Sequence, residues 1–435
     1  MSGRAWFDVS PSAARLTGSL RDIGYDFASA VADVVDNSVA AGATRVEILI
    51  EHDGSDSRVF ITDDGAGMSS SGLLEALRFG TRRQYRRGDL GRYGLGLKTA
   101  SLSQCRVLSV VSRSSKSTVR TCARSLDLDL IDDWDQWVVV DPGNREPAVQ
   151  RARQWLAEGT GTVVIWQVLD RVLPEKRPEG GWARRRLDTL AGKTADHLGM
   201  VFHRFIDGVG DRPQVVITVN GQKVRAWDPF AQDESSTVEL PLQRLEVESP
   251  GSTGVVTLRR FVLPARDRFS CPAEFERLSG PLNWNRQQGL YVYRANRLVQ
   301  WGGWAGIRGI DEHTKLARAS VEFDTDLDAA FNINVAKMRV TLPAQLRQLI
   351  EPAVNELCVL ADDAYRKTAG SARSAPPEDL GQPPEVRAAT QAAATAGLAL
   401  RMAAMQVDEW AAWEKIEALL REESPEVVRL LGLTE

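Results

Sequence analysis

Three short blocks between residues 33 and 98 constrain this chain more tightly than its bulk composition does. They read Asp33-Val34-Val35-Asp36-Asn37-Ser38, then Asp63-Asp64-Gly65-Ala66-Gly67-Met68, then Gly91-Arg92-Tyr93-Gly94-Leu95-Gly96-Leu97-Lys98. Phe27, Val31, Val34, Val35 and Val39 recur at helical steps within residues 24–43, and Gly42 stands where a helix stop belongs. Asp33 and Asn37 therefore share one helix face, a turn apart. A carboxylate there can orient and deprotonate a water, and an amide carbonyl there can ligate Mg²⁺. The same spacing also describes a plain solvated face. Asp63 closes a strand-like run at Arg58–Thr62 and precedes a glycine turn. It can accept from an exocyclic amine or simply serve an acidic turn. In the third block, glycines let the backbone approach an anion, a helix start offers free N–H groups, and Lys98 adds a point charge. Its glycine order is neither the dinucleotide fingerprint nor a Walker loop.

The rest of the chain predicts an α+β fold, with helices on one face of a mainly antiparallel sheet. Strands are expected at Arg45–Ile50, Arg58–Thr62, Val107–Ser112, Thr118–Ser125 and Thr162–Gln167, and helices near Ser70–Phe79 and Leu97–Gln104. A helical stretch at Leu187–Phe205 leads to further strands at Gln214–Asn220, Thr237–Leu240, Gly254–Leu263 and Gly289–Arg294, then a helix at Pro343–Leu357. The expected division is a first domain at 1–180, a second at 181–368, a proline-rich linker at 369–384 and a helical tail at 385–435. In the tail, Val386, Ala389, Ala393, Ala396, Leu400, Ala403, Val407 and Trp410 form a narrow seam suited to pairing subunits or folding back.

With 435 residues the chain is too long for one ordinary core. No apolar run is long enough to span a membrane, and the first residues lack a secretory pattern, so a cytoplasmic protein is expected. Cys105, Cys122, Cys271 and Cys358 are scattered, as are His52, His197, His203 and His313, which disfavours a histidine–cysteine metal site. A net charge of −4 argues against coating nucleic acid by bulk electrostatics, although Arg82, Arg83, Arg86 and Arg87, and again Arg184 to Arg186, make local basic clusters. Trp301 and Trp304 read as core packing before they read as a stacking platform.

The three blocks, with Gly161-Thr162-Val163-Val164-Ile165-Trp166 as a fourth, resemble the signature boxes of the ATPase superfamily of gyrase, heat-shock chaperone, histidine kinase and MutL. The stretches DNSVAAGA, RFGTRRQ, GRYGLGLKTAS and GTGTVVIW have the flavour of MORC-type ATPases and their prokaryotic cousins. The resemblance implies a Bergerat-type ATPase sandwich followed by a transducer-like domain, with ATP and Mg²⁺ as cofactors. It implies that Asp33 is the general base, Asn37 the Mg²⁺ ligand and Asp63 the acceptor for adenine N6. Gly65, Gly67 and Met68 then shape the adenine pocket, and Thr162 assists. Gly91, Tyr93, Gly94, Leu95, Gly96, Leu97 and Lys98 belong to the phosphate cradle and its lid, which spans about Gly80–Tyr93. Lys337, before a strand and helix of the second domain, is the candidate for a lysine sent back to the γ-phosphate. Tyr291-Val292-Tyr293-Arg294-Ala295-Asn296-Arg297 reads as architecture rather than chemistry.

Two departures bear on activity. The family usually has glutamate where this chain has Asp33, and often aspartate where Ala40 stands. Aspartate is one methylene shorter, and misplacing a base by about 1 Å costs on the order of a hundredfold in rate. The reading is therefore a slow ATPase that gates a homodimeric clamp, acting on DNA in a MORC-like and defence-related setting. The alternatives are a chaperone-type remodelling ATPase with a polypeptide client, or an ATP-binding switch without brisk hydrolysis. No helix carrying a phospho-acceptor histidine precedes the first block, and no cleavage domain follows the second domain, which disfavours a histidine kinase and a topoisomerase subunit.

Overall fold

In the computed structural model, residues 7, 9–80, 94–114, 121–173, 179–209, 213–249, 252–280, 283–332, 340–374, 410–424 and 427–428 are described. Residues 1–369 form one unit and 370–435 another. The first helices are α1 (Ala13–Arg21) and α2 (Phe27–Ala40), followed by β1 (Arg45–Glu51) and β2 (Arg58–Asp63). Next come α3 (Ser70–Leu77), α4 (Gly96–Leu102), β3 (Val107–Arg113), β4 (Cys122–Asp127), α5 (Leu128–Trp134), α6 (Pro147–Trp155) and β5 (Gly161–Gln167). α7 (Gly181–Val201) and α8 (His203–Ile206) lead to β6 (Val216–Val219) and β7 (Gln222–Lys223).

These strands make a seven-stranded sheet in the order β4-β3-β5-β2-β1-β6-β7. Every pairing is antiparallel except β1 with β6. Alternation along the strands sorts side chains to the two faces. Val59 and Ile61 on β2, with Val164 and Trp166 on β5, join Val31, Val35, Ala100 and Leu198 of α2, α4 and α7 in one core. Phe60, Val163 and Ile165 face the other way and pack on Ala148, Val149 and Ala152 of α6. The expectation of helices on a mainly antiparallel sheet is met, with the addition that α6 covers part of the second face. The strand expected at Gln214–Asn220, read with the second domain, instead extends the first sheet as β6. A four-residue strand carries no mark of its partner, so pattern alone does not assign its sheet.

The second sheet is built from β8 (Val238–Ser249), β9 (Ser252–Val262), β10 (Gly289–Arg294), β11 (Arg297–Gln300) and β12 (Ala317–Phe323). Its order is β11-β10-β12-β9-β8, with β10 and β12 parallel. The short helices α9 (Pro272–Leu278) and α10 (Trp284–Gln287) lie between β9 and β10, and α11 (Ala344–Ser374) follows β12. Leu346, Ile350, Val354 and Leu357 of α11 pack on Leu258, Val292, Ala319 and Val321 of the sheet. α11 runs to Ser374, into the stretch read as linker, because the first helix-breaking proline there is Pro376. Trp304 is fully buried and Trp301 packs against the core, as read. In residues 370–435, a helix spans Trp410–Glu423, with Trp413 Nε1 donating to Glu417 at 3.0 Å. The tail seam through Val407 and the arginines at 82–87 lie outside the described residues. Among the described residues, no helix is long and apolar enough to cross a membrane.

Candidate nucleotide site

α2 is the element that organises the site. Asp26 caps its N-terminus by accepting from the Ser29 amide, and its run from Ala30 to Val35 is buried almost without exception. Two carboxylates, Asp33 and Asp36, are carried into this apolar setting and are 2% and 1% exposed. A buried carboxylate needs polar partners. Asp33 Oδ2 accepts a 2.7 Å hydrogen bond from Tyr25 Oη. Arg297, at the start of β11 in the second sheet, donates from Nε to Asp36 Oδ1 at 2.8 Å and sets Nη2 3.6 Å from Asp33 Oδ1. Burial, and then the Asp33 charge and hydrogen bond, push the Tyr25 hydroxyl well above its ordinary range, so it stays a donor.

One turn on, Asn37 is exposed and its Nδ2 donates to the Asp33 backbone oxygen at 2.9 Å. That bond fixes the amide, and Oδ1 accepts no hydrogen bond among the described residues. A lone neutral oxygen beside open space suits a Mg²⁺ whose other ligands are phosphate oxygens and water. No cluster of three or more histidine, cysteine or acidic side chains competes for a metal among the described residues.

Asp63, the last residue of β2, stands opposite Thr162 on β5 in the antiparallel register. Its Oδ2 accepts from Ser38 Oγ at 2.9 Å and its Oδ1 from the Gly65 amide at 2.9 Å. Burial raises its pKa, against the hydrogen bonds from Gly65, Ser38 and the Thr162 backbone. Thr162 Oγ1 lies 2.9 Å from Ser112 Oγ, and Ser112 Oγ in turn accepts from the Met68 amide at 2.8 Å. Asp63, the Gly65–Met68 turn and Thr162 are thus one hydrogen-bonded patch. Neighbouring Asp64 has a structural job: its carboxylate accepts from the Thr44 and Arg45 amides and the Thr44 hydroxyl. Burial works to raise its pKa, but those bonds outweigh it and hold the carboxyl below its usual range.

Gly67 has φ 63°, and a Cβ there would lie 1.9 Å from the Arg113 carbonyl oxygen. Only glycine fits where the turn crosses β3. Gly96 opens α4 directly against Asp33, whose Oδ2 would sit 3.2 Å from a Cβ at that position. Gly94 and Leu95 precede α4, and Leu97 packs on the core.

Lys98 differs from its expected place. It is 1% exposed, and its Nζ donates to the Ala76 carbonyl at 2.9 Å and to the Gly94 carbonyl. The side chain therefore ties the end of α3 to the start of the glycine segment rather than presenting its charge outward. Burial brings its pKa down to about 8, with Glu75 opposing. Gly91, Tyr93 and Lys337 lie outside the described residues, as do residues 81–93 of the predicted lid.

Residues 25–162 match the family model for histidine kinase-, DNA gyrase B- and HSP90-like ATPases. Residues 25–162 are a GHKL-type ATPase domain. The DNA mismatch repair protein MutL of Phenylobacterium zucineum (strain HLK1) is 31% identical over 99 residues, covering 21% of this chain. The matched stretch is 16% of that protein's own length.

Three residues that support the site, two within the matched stretch and one on the second sheet, carry no signal in the sequence motifs. Tyr25 stands just before α2, and Ser112 sits on β3 among apolar residues. The sequence marks Arg297 only as architecture, whereas the structure sets it on Asp36 and beside Asp33. The available signal was the pair of acids inside a valine-rich helix, which requires a buried cation from somewhere in the chain. A cavity of about 480 Å³ lined by Arg21, Tyr25, Phe27, Gln104 and Arg186 shares none of the predicted nucleotide residues.

Proposed function

We propose that the chain is a Mg²⁺-dependent ATPase whose nucleotide state gates a homodimeric clamp acting on DNA. The observation that carries the nucleotide reading is the juxtaposition of Asp63 and Thr162 across β2 and β5, with Asp33 and Asn37 on the adjoining α2. Asp63 and Thr162 read the adenine edge, the Gly65–Met68 turn lines the base, and Gly94 to Leu97 face the phosphates. Asn37 Oδ1 would hold Mg²⁺, which supplies charge neutralisation at the phosphates when bound. Asp33 is the base that orients and deprotonates the attacking water. Its side chain is a methylene short of the family's glutamate, so turnover is slow. The approach of Gly96 to Asp33 brings the glycine segment up to the carboxylate and offsets part of that loss.

The clamp reading rests on the MORC-like stretches and on the name of the MutL relative, a DNA mismatch repair protein. In the structure α1 is docked on its own chain. Ser12 Oγ donates to Asp135 at 2.7 Å, and Arg21 donates to the Leu102 carbonyl at 2.7 Å and to Asp170 at 2.6 Å. Exchange of the N-terminal segment between subunits would release these bonds and remake them in the partner, a two-state change that γ-phosphate contacts bias. Light scattering without nucleotide, with ATP and with a non-hydrolysable analogue, each with and without DNA, tests the reading. A monomer that becomes a DNA-retaining dimer only with the analogue is the expected result. An unchanged mass in all conditions contradicts the clamp.

A further inference from the structure

We propose that Arg297 is a positioning residue through which the second sheet sets the working geometry of Asp33; this rests on the reading of Asp33 as the base. β10 and β11 form a hairpin in which Arg294 pairs with Arg297, joined by Ala295 and Asn296 alone. Both loop residues have positive φ, 48° and 71°. That combination is the two-residue turn that matches strand twist, yet alanine is a strained occupant of it. Such strain persists only where the surroundings over-determine it.

Here they do. Arg294 forms a two-pronged buried ion pair with Asp328, at 2.6 and 2.7 Å, on the side of the second sheet. Ala295 itself packs in the core of the first sheet, and its amide donates to the Phe323 carbonyl at 3.0 Å. Asn296 Oδ1 accepts from Arg204, whose guanidinium also pairs with Glu322 at 2.6 Å. The tip of the second sheet is thereby pinned by its own sheet while it lies inside the first core. Arg297 is the side chain it delivers to α2.

The two distances define the division of labour. Nε to Asp36 at 2.8 Å is the anchor, and Nη2 to Asp33 at 3.6 Å is the looser contact. Asp33 is then held between Tyr25 Oη on one oxygen and Arg297 near the other, while Asp36 stops the guanidinium from collapsing wholly onto the base. Arg297 is only 4% exposed, so no water replaces it at low cost. A rotation of the second sheet relative to α2 moves the guanidinium and with it the orientation of Asp33. This makes the hairpin a physical link by which events in the second sheet alter hydrolysis.

The test compares ATP affinity by calorimetry with single-turnover hydrolysis for the full chain and for Arg297→Ala, Arg297→Lys and Asp36→Asn. Arg297→Ala is expected to bind ATP as the unaltered chain does and to lose on the order of a hundredfold in hydrolysis rate, the cost of a misplaced base. Added guanidinium ion should restore part of that rate in Arg297→Ala and leave the unaltered chain unchanged. Asp36→Asn should lower hydrolysis without lowering affinity. If Arg297→Ala does not fold, Arg297→Lys decides, since it retains charge without the fork and should lower the rate at unchanged affinity. Hydrolysis in the soluble variants equal to that of the unaltered chain overturns the inference and leaves the ATP site standing. Failure of the unaltered chain to bind or hydrolyse ATP overturns the site reading on which the inference rests.

Discussion

Asp63 and Thr162 face each other on neighbouring antiparallel strands, and the Asp63 carboxylate is held by Ser38 and Gly65 while the Thr162 hydroxyl is held by Ser112. An acid and a hydroxyl fixed side by side at the end of two strands form a rigid polar edge, and each is preorganised by partners that belong to a different element. That edge is therefore built on four elements: α2, β2, β3 and β5.

The tight turn beside that edge gives the first prediction. In Gly67→Ala, the added Cβ meets the Arg113 carbonyl at 1.9 Å and the residue sits at φ 63°. The variant should lose about 3 kcal/mol of stability or more, because the backbone must move as well as strain. Thermal denaturation measures this, and an unchanged midpoint would show that the turn is not held as described.

Tyr25→Phe removes a buried hydrogen bond to Asp33 with little change in shape. The expected cost is about 1.5–3 kcal/mol, as for hydrogen bonds to charged groups. Denaturant melts report the stability change. Hydrolysis should fall while ATP affinity holds, since Tyr25 touches Asp33, the proposed base, and none of the predicted adenine contacts.

Lys98 predicts a pH dependence. Burial lowers its folded-state pKa from 10.5 to about 8, so between about pH 8 and 10.5 the unfolded chain binds more protons than the folded one. Stability contributed by this group is complete above the unfolded pKa and is lost as pH falls through the folded value. The chain should therefore gain stability from pH 8 towards 10, by up to about 3 kcal/mol from this residue. Lys98→Met should flatten that rise in melts across the range. A rise of equal size in the variant would assign it to another group.

Much of this architecture is legible in the sequence. Valines at helical spacing give α2, and short β-branched runs give β2 and β5, because each of these elements buries a face whose period matches its geometry. The order Asp33, Asn37, Asp63, Gly67, Gly96, Thr162 then marks the candidate site. Arg297 is different: it lies 261 residues from Asp36 along the chain, and no local pattern reports a contact of that range. Lys98 shows a second limit. Sequence places a lysine after a glycine loop, but whether its amine faces outward or donates to the Ala76 carbonyl depends on how α3 packs. α6 leaves little signal in the sequence, since only Ala148, Val149 and Ala152 mark its buried face.

Asn37 tests the metal. With Nδ2 bound to the Asp33 carbonyl, Oδ1 is the group available to a cation. Asn37→Ala should abolish the Mg²⁺ dependence of ATP binding and nucleotide-driven dimerisation while leaving the fold intact, because the residue is exposed. Titrations with ATP in the presence and absence of Mg²⁺ check this, and equal Mg²⁺-ATP affinity in the variant would remove Asn37 from the site.

Isothermal titration of ATP into the full chain and into Asp63→Ala tests whether the Asp63–Thr162 edge receives the adenine of ATP. The unaltered chain should bind ATP in preference to GTP, and Asp63→Ala should weaken ATP binding by about a hundredfold, the loss expected for one charge-assisted hydrogen bond. Equal ATP affinity in the two proteins, or no ATP binding by the unaltered chain, would rule out adenine recognition at this edge.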